Sequence, residues 1–393
     1  MRSFFLALLV SVDLIAASQS QDSVQILLTN LQIQIEATQA INDMYNFKFE
    51  EAEKQFRWIR QRHPDHPLPY YLLGLSQWWK ILPNLEETKY DERFFKLMDL
   101  AIEKAEALHE DSVTRLEASF FLAAGYAMKG RLHSDRRNWV KAANSGRLAL
   151  KYQRESENMH ELSPEFMFGD ALYNYYSVWI RENYPLLRPI MIAFKKGDKQ
   201  LGIDQLRTVA NNAFYTRTEA QLYLMRILAL DENDLRGALQ ISEYLFDTYP
   251  DNPYFHRFYA RLLYQTGQRR KMESVCLDIL KKIDMKTPGY EANSGRYAGF
   301  FLGQYYETLG RDEEAKMYYS FAVKFAEEIE AFKTGYYLFS LLHLAKMAEY
   351  DDEYDEAFLF YSKIKKYAKR KNPSYKEAKL GLKRIKRKRK LNS

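Results

Sequence analysis

Apolar and small residues recur along this chain with a helical period, in paired short runs separated by a turn. The pattern is fullest between Ala298 and Phe325. Leu302, Gly303 and Tyr306 fall on one face of a first helix, and Gly310 marks its end, where the backbone needs a positive φ that glycine adopts cheaply. Asp312 is placed to cap a second helix, with Glu313 and Glu314 favourable in its first turn. In that helix Ala315, Tyr319 and Ala322 return at helical spacing, and the small side chains let the two helices nest.

The same pairing can be traced before and after this stretch. Residues 26–62 read as a first hairpin, with Ala52, Phe56 and Ile59 on its second helix and Pro64 at its end. Leu73-Gly74 opens the next first helix, and an insertion, ILPNLEETKYDERF, precedes a helix through Ala101 and Ala105. Leu122, Ala123, Tyr126 and Gly130 stand in register with Leu302, Gly303, Tyr306 and Gly310. Residues 137–230 are less regular, with a long aromatic helix stopped before Pro185 and a turn at Lys196-Gly197-Asp198. Beyond Ala220 the repeats resume: Met272 lies 34 residues after Ala238, Ala315 a further 43, and Ala357 another 42. Few prolines and glycines (11 and 16) and no long β-branched runs point to an all-α chain.

The Leu-Gly, Tyr, Gly, Ala, aromatic, Ala positions of the central stretch resemble the tetratricopeptide repeat, a family unit of about 34 residues. The stretch departs from it where Gly299 replaces the usual Trp and where no proline closes the unit. The piece from Phe166 to Leu230 also resembles, more distantly, a eukaryotic tetratricopeptide-like family linked to the mitochondrial outer membrane and inclusion-body clearance. One hairpin cannot bury its own apolar face, so neighbours are required. The resemblance implies a right-handed α-solenoid of stacked helical hairpins over residues 21–362. It also implies a concave groove lined by first helices, in which a protein or peptide is held. Carried onto this chain, the groove positions are Tyr71, Trp78 and Trp79; Arg257, Arg261 and Tyr264; Gln304 and Glu307; and Lys346. Tyr and Trp offer rigid area with a polar tip, and Arg clamps carboxylates.

Length and composition fit this picture: 393 residues, 47% hydrophobic, 28% charged and 15% aromatic. Most of the 30 Tyr are expected between hairpins. Charge changes it more. The net +6 conceals a C-terminal segment, 363–393, with 15 Lys and Arg against one acid, Glu377, which leaves the preceding residues at −8. Tyr375, Ala378, Leu382 and Ile385 form an amphipathic stripe, read as a capping helix. The run beyond it (Lys383, Arg384, Lys386, Arg387, Lys388, Arg389 and Lys390) has no apolar face of its own and is expected to be disordered. Such a tail can bind an anionic surface. Nucleic acid is disfavoured because residues 1–20 read as a signal peptide, with Arg2 before an apolar run and small residues at Ala16 to Ser20. The chain is therefore expected to be exported, periplasmic or secreted, with membrane anchoring by an uncleaved signal as the alternative.

Catalytic chemistry finds no foothold. Glycine-rich phosphate loops and the nucleophile-elbow motif do not occur, and the seven His lack ligand spacing. His63-Pro64-Asp65-His66 is a helix-terminating loop, and Cys276 reads as core packing. The expectation is a non-enzymatic exported scaffold without metal or cofactor. The competing reading is a glycan- or lipid-handling factor held at an anionic surface by its basic tail.

Overall fold

The structure, a computed structural model, describes residues 26–157, 159–185, 188 and 195–391. The expected signal peptide lies outside them. Seventeen α-helices and a 3-10 turn at Met159–Glu161 make up the described residues, without a strand. They pair as hairpins: α1 (Leu31–Tyr45) with α2 (Phe49–Arg62), α3 (Pro67–Ile81) with α4 (Asp91–His109), and α5 (Arg115–Asp135) with α6 (Trp139–Glu155). Next come α7 (Pro164–Asn183) with α8 (Lys199–Asn212), and α9 (Arg217–Leu230) with α10 (Leu235–Thr248). Then α11 (Pro253–Gln265) joins α12 (Arg269–Asp284), α13 (Ala292–Thr308) joins α14 (Asp312–Glu328), and α15 (Gly335–Tyr350) joins α16 (Tyr354–Tyr367), with α17 (Pro373–Leu391) last.

Local chemistry sets these boundaries. Pro67, Pro164 and Pro253 open helices where a missing N–H costs nothing. Asn30, Ser163, Asp198, Asp234 and Asn252 accept backbone N–H groups at helix starts. Asp312 does not cap α14: it sits in the first turn with Glu313 and Glu314, where the three acids complement the helix dipole. Several hairpin turns use a residue with positive φ, at Phe47, Arg137, Asn233, Gly267, Gly310 and Asp352. Gly130 is not one of them. It lies inside α5, close to Ser145 of α6, and the turn expected there falls at Arg137.

First helices form the inner layer. Helix α1 packs on α3, α3 on α5 and α5 on α7; likewise α11 on α13, α13 on α15 and α15 on α17. Small residues permit the close hairpins: a Cβ on Gly299 would lie 2.8 Å from the backbone of α14. This is an all-α solenoid of helical repeats.

The two ends of the solenoid differ. Helices α1–α11 share one core, and α11–α17 share another. In the first, the body, the superhelix turns back on itself. Tyr45 lies 5.1 Å from Trp79 and 5.2 Å from Tyr249, and Trp79 lies 5.2 Å from Phe255. Asn252 donates to the Tyr45 carbonyl at 2.9 Å, and the Pro83 carbonyl accepts from Arg257 at 3.3 Å and Asn293 at 2.5 Å. Beyond the Asn293 bond at the start of α13, the second region, the arm, makes no such closure among the described residues.

Helix α17 docks on α15 and α16 with Ala378 and Ile385 fully buried. The run expected to be disordered instead continues this helix to Leu391. Acids of the preceding hairpin supply what the local sequence lacks. Arg384 forms two 2.8 Å bonds to Glu349, Lys388 lies 3.8 Å from Asp352, and Arg389 pairs with Asp355.

Candidate functional site

The inner faces of α11, α13 and α15 carry the charged and aromatic positions of the arm. Arg257 is buried, and its guanidinium donates to the Pro83 carbonyl and to Ser294 Oγ at 3.2 Å. It stands 5.6 Å from the Tyr254 ring and 5.4 Å from Tyr297. Arg261 is half-buried beside Phe258, and Arg296 lies 5.1 Å from the Tyr297 ring. None of these three arginines pairs with a carboxylate among the described residues. Burial and the neighbouring charge of Arg257 hold Arg296 below its ordinary pKa, against the pull of Tyr297. Burial also raises the pKa of the Glu291 carboxyl, against the pull of Arg257. Tyr336, edge-on to Tyr297 with ring centres 4.6 Å apart, feels both Arg261 and Arg296, and burial pushes its phenol up to about 12.

Further along the same face, Tyr264, Gln304 and Glu307 meet in one network. Gln304 accepts from Tyr264 at 3.2 Å and donates to Tyr319 and to His343 Nε2, each at 2.9 Å. Tyr319 donates to Glu307 at 2.6 Å, and His343 Nδ1 reaches the same carboxylate at 2.9 Å. Burial raises the Glu307 pKa, but the bonds from His343 and Tyr319 outweigh it and leave the carboxyl below its usual range. The network therefore presets a rigid acid beside exposed Lys346. The chemistry of the face is that of a preformed cradle: basic and aromatic at one end, acidic at the other.

No family model matches the chain, and no curated protein matches it. Among solved structures it is similar to the crystal structure of the P58(IPK) TPR domain. The identity is 14% over 92% of this chain and 99% of that one, with a TM-score of 0.24. At that TM-score the likeness carries no argument, and the repeat architecture rests on the helices themselves.

The remaining expected positions lie elsewhere. Trp78 and Trp79 are fully buried: they are core of the body, not groove surface. The cause is tertiary, since α9 and α11 close over α3, and Trp79 Nε1 donates at 3.0 Å to Glu219, 140 residues away. Tyr71 is half-buried against Phe121, on the wall of a cavity between α5, α6, α7 and α9. In α17 the basic residues divide. Arg384, Lys388 and Arg389 face acids of the arm, whereas Lys383, Lys386 and Arg387 are exposed with no acid partner among the described residues. Lys390 falls in the last turn, and its side chain is outside the described residues. Lys365, Lys366 and Lys379 join Lys383 and Lys386 along a groove of about 520 Å³ between α16 and α17, floored by Phe358 and Leu382.

Arg296, Tyr336 and His343 escaped the sequence reading. A signal existed: each keeps the first-helix register of the residues that were found. Among the described residues no helix is long and apolar enough to cross a membrane, and no group of His, Cys, Asp and Glu is placed to hold a metal.

Proposed function

We propose that this chain is a non-enzymatic, exported binding protein that holds an acidic, aromatic-bearing peptide or protein segment on the inner face of its arm. The observation that carries the reading is the trio Arg257, Arg261 and Arg296, set among Tyr254, Tyr297 and Tyr336 without a carboxylate partner. Guanidinium groups held over aromatic faces keep their forks available for a carboxylate. Because stacked hairpins preform the surface, the partner bears most of the ordering cost. Arg257 also braces the body through Pro83, so the test belongs to Arg261 and Arg296. A labelled Glu-Tyr copolymer is expected to bind, and a Lys-Tyr copolymer to fail. Arg261→Gln and Arg296→Gln should each weaken the former about tenfold by fluorescence anisotropy. Unchanged affinity in both variants refutes the reading. Export itself is read from residues 1–20, and N-terminal sequencing of the mature chain tests it.

A second reading has its own support, the row of five lysines between α16 and α17. One side of α17 is spent on docking and the other is left as unneutralised charge, which suits an anionic surface. Vesicles of phosphatidylglycerol, but not phosphatidylcholine, should retain the chain, and the double change Lys383→Glu with Lys386→Glu should release it. Retention that survives the double change counts against this reading.

A further inference from the structure

Where the inner layer passes from α5 to α9, the helices leave a cavity of about 360 Å³. Its walls follow helical register. Phe120, Ala123, Ala124, Ala127, Met128 and Arg131 form one stripe of α5. Facing them, Gly169, Leu172, Tyr176 and Ile180 form a stripe of α7. The remaining wall comes from α6, the start of α9 and Tyr71 of α3.

Protein interiors are packed to crystal-like density, and voids much larger than a water molecule are few. This space is more than twice the ~150 Å³ of an engineered apolar cavity that takes up benzene. It lies instead in the range of roughly 300–1,000 Å³ typical of small-molecule sites. The frame around it is tied down. Glu165, at the start of α7, accepts from the backbone N–H groups of Phe214, Tyr215 and Thr216 and from the Thr216 hydroxyl at 2.6–2.9 Å, pinning the start of α9. Gln153 of α6 donates to Asp170 of α7 at 2.5 Å. Collapse onto the void would break these bonds.

Arg131 sets the polarity of the space. Its guanidinium stands 4.4 Å from the Trp78 ring and 5.3 Å from Tyr223, and donates to the Tyr223 hydroxyl at 2.8 Å. No carboxylate among the described residues lies within ion-pair distance of it. Glu219, on the same wall, is buried and takes the Trp79 N–H. Burial drives its carboxyl toward the neutral form, against the pull of Arg131. A largely apolar chamber thus carries one guanidinium held by aromatic faces, with no carboxylate among the described residues in ion-pair contact with it.

We propose that this cavity binds a small acidic amphiphile, with its carboxylate on Arg131 and its apolar body along the alanine stripe of α5. A planar guanidinium accepts a carboxylate in two parallel bonds, and the aromatic faces limit its hydration. The alanines supply length where bulkier residues would fill the space. This site is separate from the peptide face of the arm, and Arg261→Gln is expected to leave it unchanged.

Titration calorimetry of the full chain with dodecanoate and dodecanol tests the proposal. Dodecanoate should bind once per chain, and dodecanol more weakly. Arg131→Gln should weaken dodecanoate about tenfold or more while leaving dodecanol unchanged, which also shows that the chamber is intact. Ala124→Phe, which fills the space, should abolish binding of both with the helical circular dichroism retained. If that variant loses its helicity, Ala149→Leu on the facing wall carries the same expectation. Absence of saturable dodecanoate binding, equal weakening of both ligands by Arg131→Gln, or full binding in a folded cavity-filled variant would each overturn it.

Discussion

The body and the arm are built from the same hairpin, yet their inner faces have opposite fates. In the body the first helices meet across the hollow, so Trp78 and Trp79 become core while an apolar chamber stays open between α5, α6, α7 and α9. In the arm α13 and α15 meet no opposing helix among the described residues, and Arg261, Arg296, Tyr297, Tyr336 and a Gln-Glu-His network stay half-exposed. A repeat array therefore owes its binding surface to curvature as much as to residue type. The same aromatic-rich first helix is structural where the superhelix closes and available where it does not.

The sharpest way to break this contrast is Trp79→Ala. The ring is fully buried between Tyr45 and Phe255, and its N–H satisfies buried Glu219. Removal of a buried aromatic of this size costs about 3–5 kcal/mol. Urea unfolding should show the body melting first, with the arm's transition unmoved. A shift below about 1 kcal/mol would mean that the closure contributes little to the body.

The converse change falls in the arm. At Gly299 a Cβ would sit 2.8 Å from the Ala322 nitrogen and from the Tyr318 carbonyl oxygen, so Gly299→Ala must push α13 from α14. Overpacking of this kind costs roughly 1–3 kcal/mol. The arm should loosen by hydrogen exchange while the chamber, far from α13, keeps its ligand binding.

How much of this the chain discloses depends on the range over which each feature is decided. Gly310, Ala315, Tyr319 and Ala322 announce a hairpin because turn and packing are local, and the structure places all four accordingly. The turns at Phe47, Arg137, Asn233 and Asp352 hold positive φ without glycine, which hides several repeats from any glycine-based pattern. Closure of the body is set by small rotations summed over many hairpins, so nothing near Trp79 marks it as core. The tail fails for a similar reason: KRIKRKRK contains no acid, and its partners Glu349, Asp352 and Asp355 lie on α15, on α16 and in the turn between them. The chamber was more accessible. The α5 stripe ending at Arg131 is regular in sequence, but alanine at such positions usually signals close packing rather than space.

His256 sits in α11, at the junction of the two cores, and its titration links them. The ring is fully buried, with Nδ1 2.8 Å from the Tyr290 hydroxyl. Burial, reinforced by Lys282, lowers its pKa to about 3. A depressed folded-state value means that the stabilising contribution is complete above the unfolded pKa near 6.5 and is lost as pH falls toward 3. Each pH unit in that window costs about 1.4 kcal/mol, so roughly 2 kcal/mol is lost between pH 6.5 and 5, before most carboxylates titrate. In His256→Gln that slope should vanish relative to the parent chain. An unaltered difference in stability between pH 6.5 and 5 would show that the imidazole is not the titrating group.

The smallest expected effect tests whether α17 belongs to the arm. Glu349 accepts both bonds of Arg384 and the Tyr361 hydroxyl at 2.9 Å, which holds its carboxyl below the usual range. Half of the arginine side chain is in solvent (47% exposed), so screening limits the pair to about 1 kcal/mol or less. Arg384→Ala should therefore leave the global unfolding midpoint nearly unmoved. Amide exchange of α17 should rise several-fold, because a helix packed against neighbours on one side only opens locally before the rest. High salt should produce the same rise in the parent chain and add little in the variant, since both remove one electrostatic tie. If exchange across α17 stays at the level of α15 and α16, burial of Ala378 and Ile385 alone secures the helix. The basic run then owes its order to packing, and its exposed lysines stand on a platform as rigid as the arm itself.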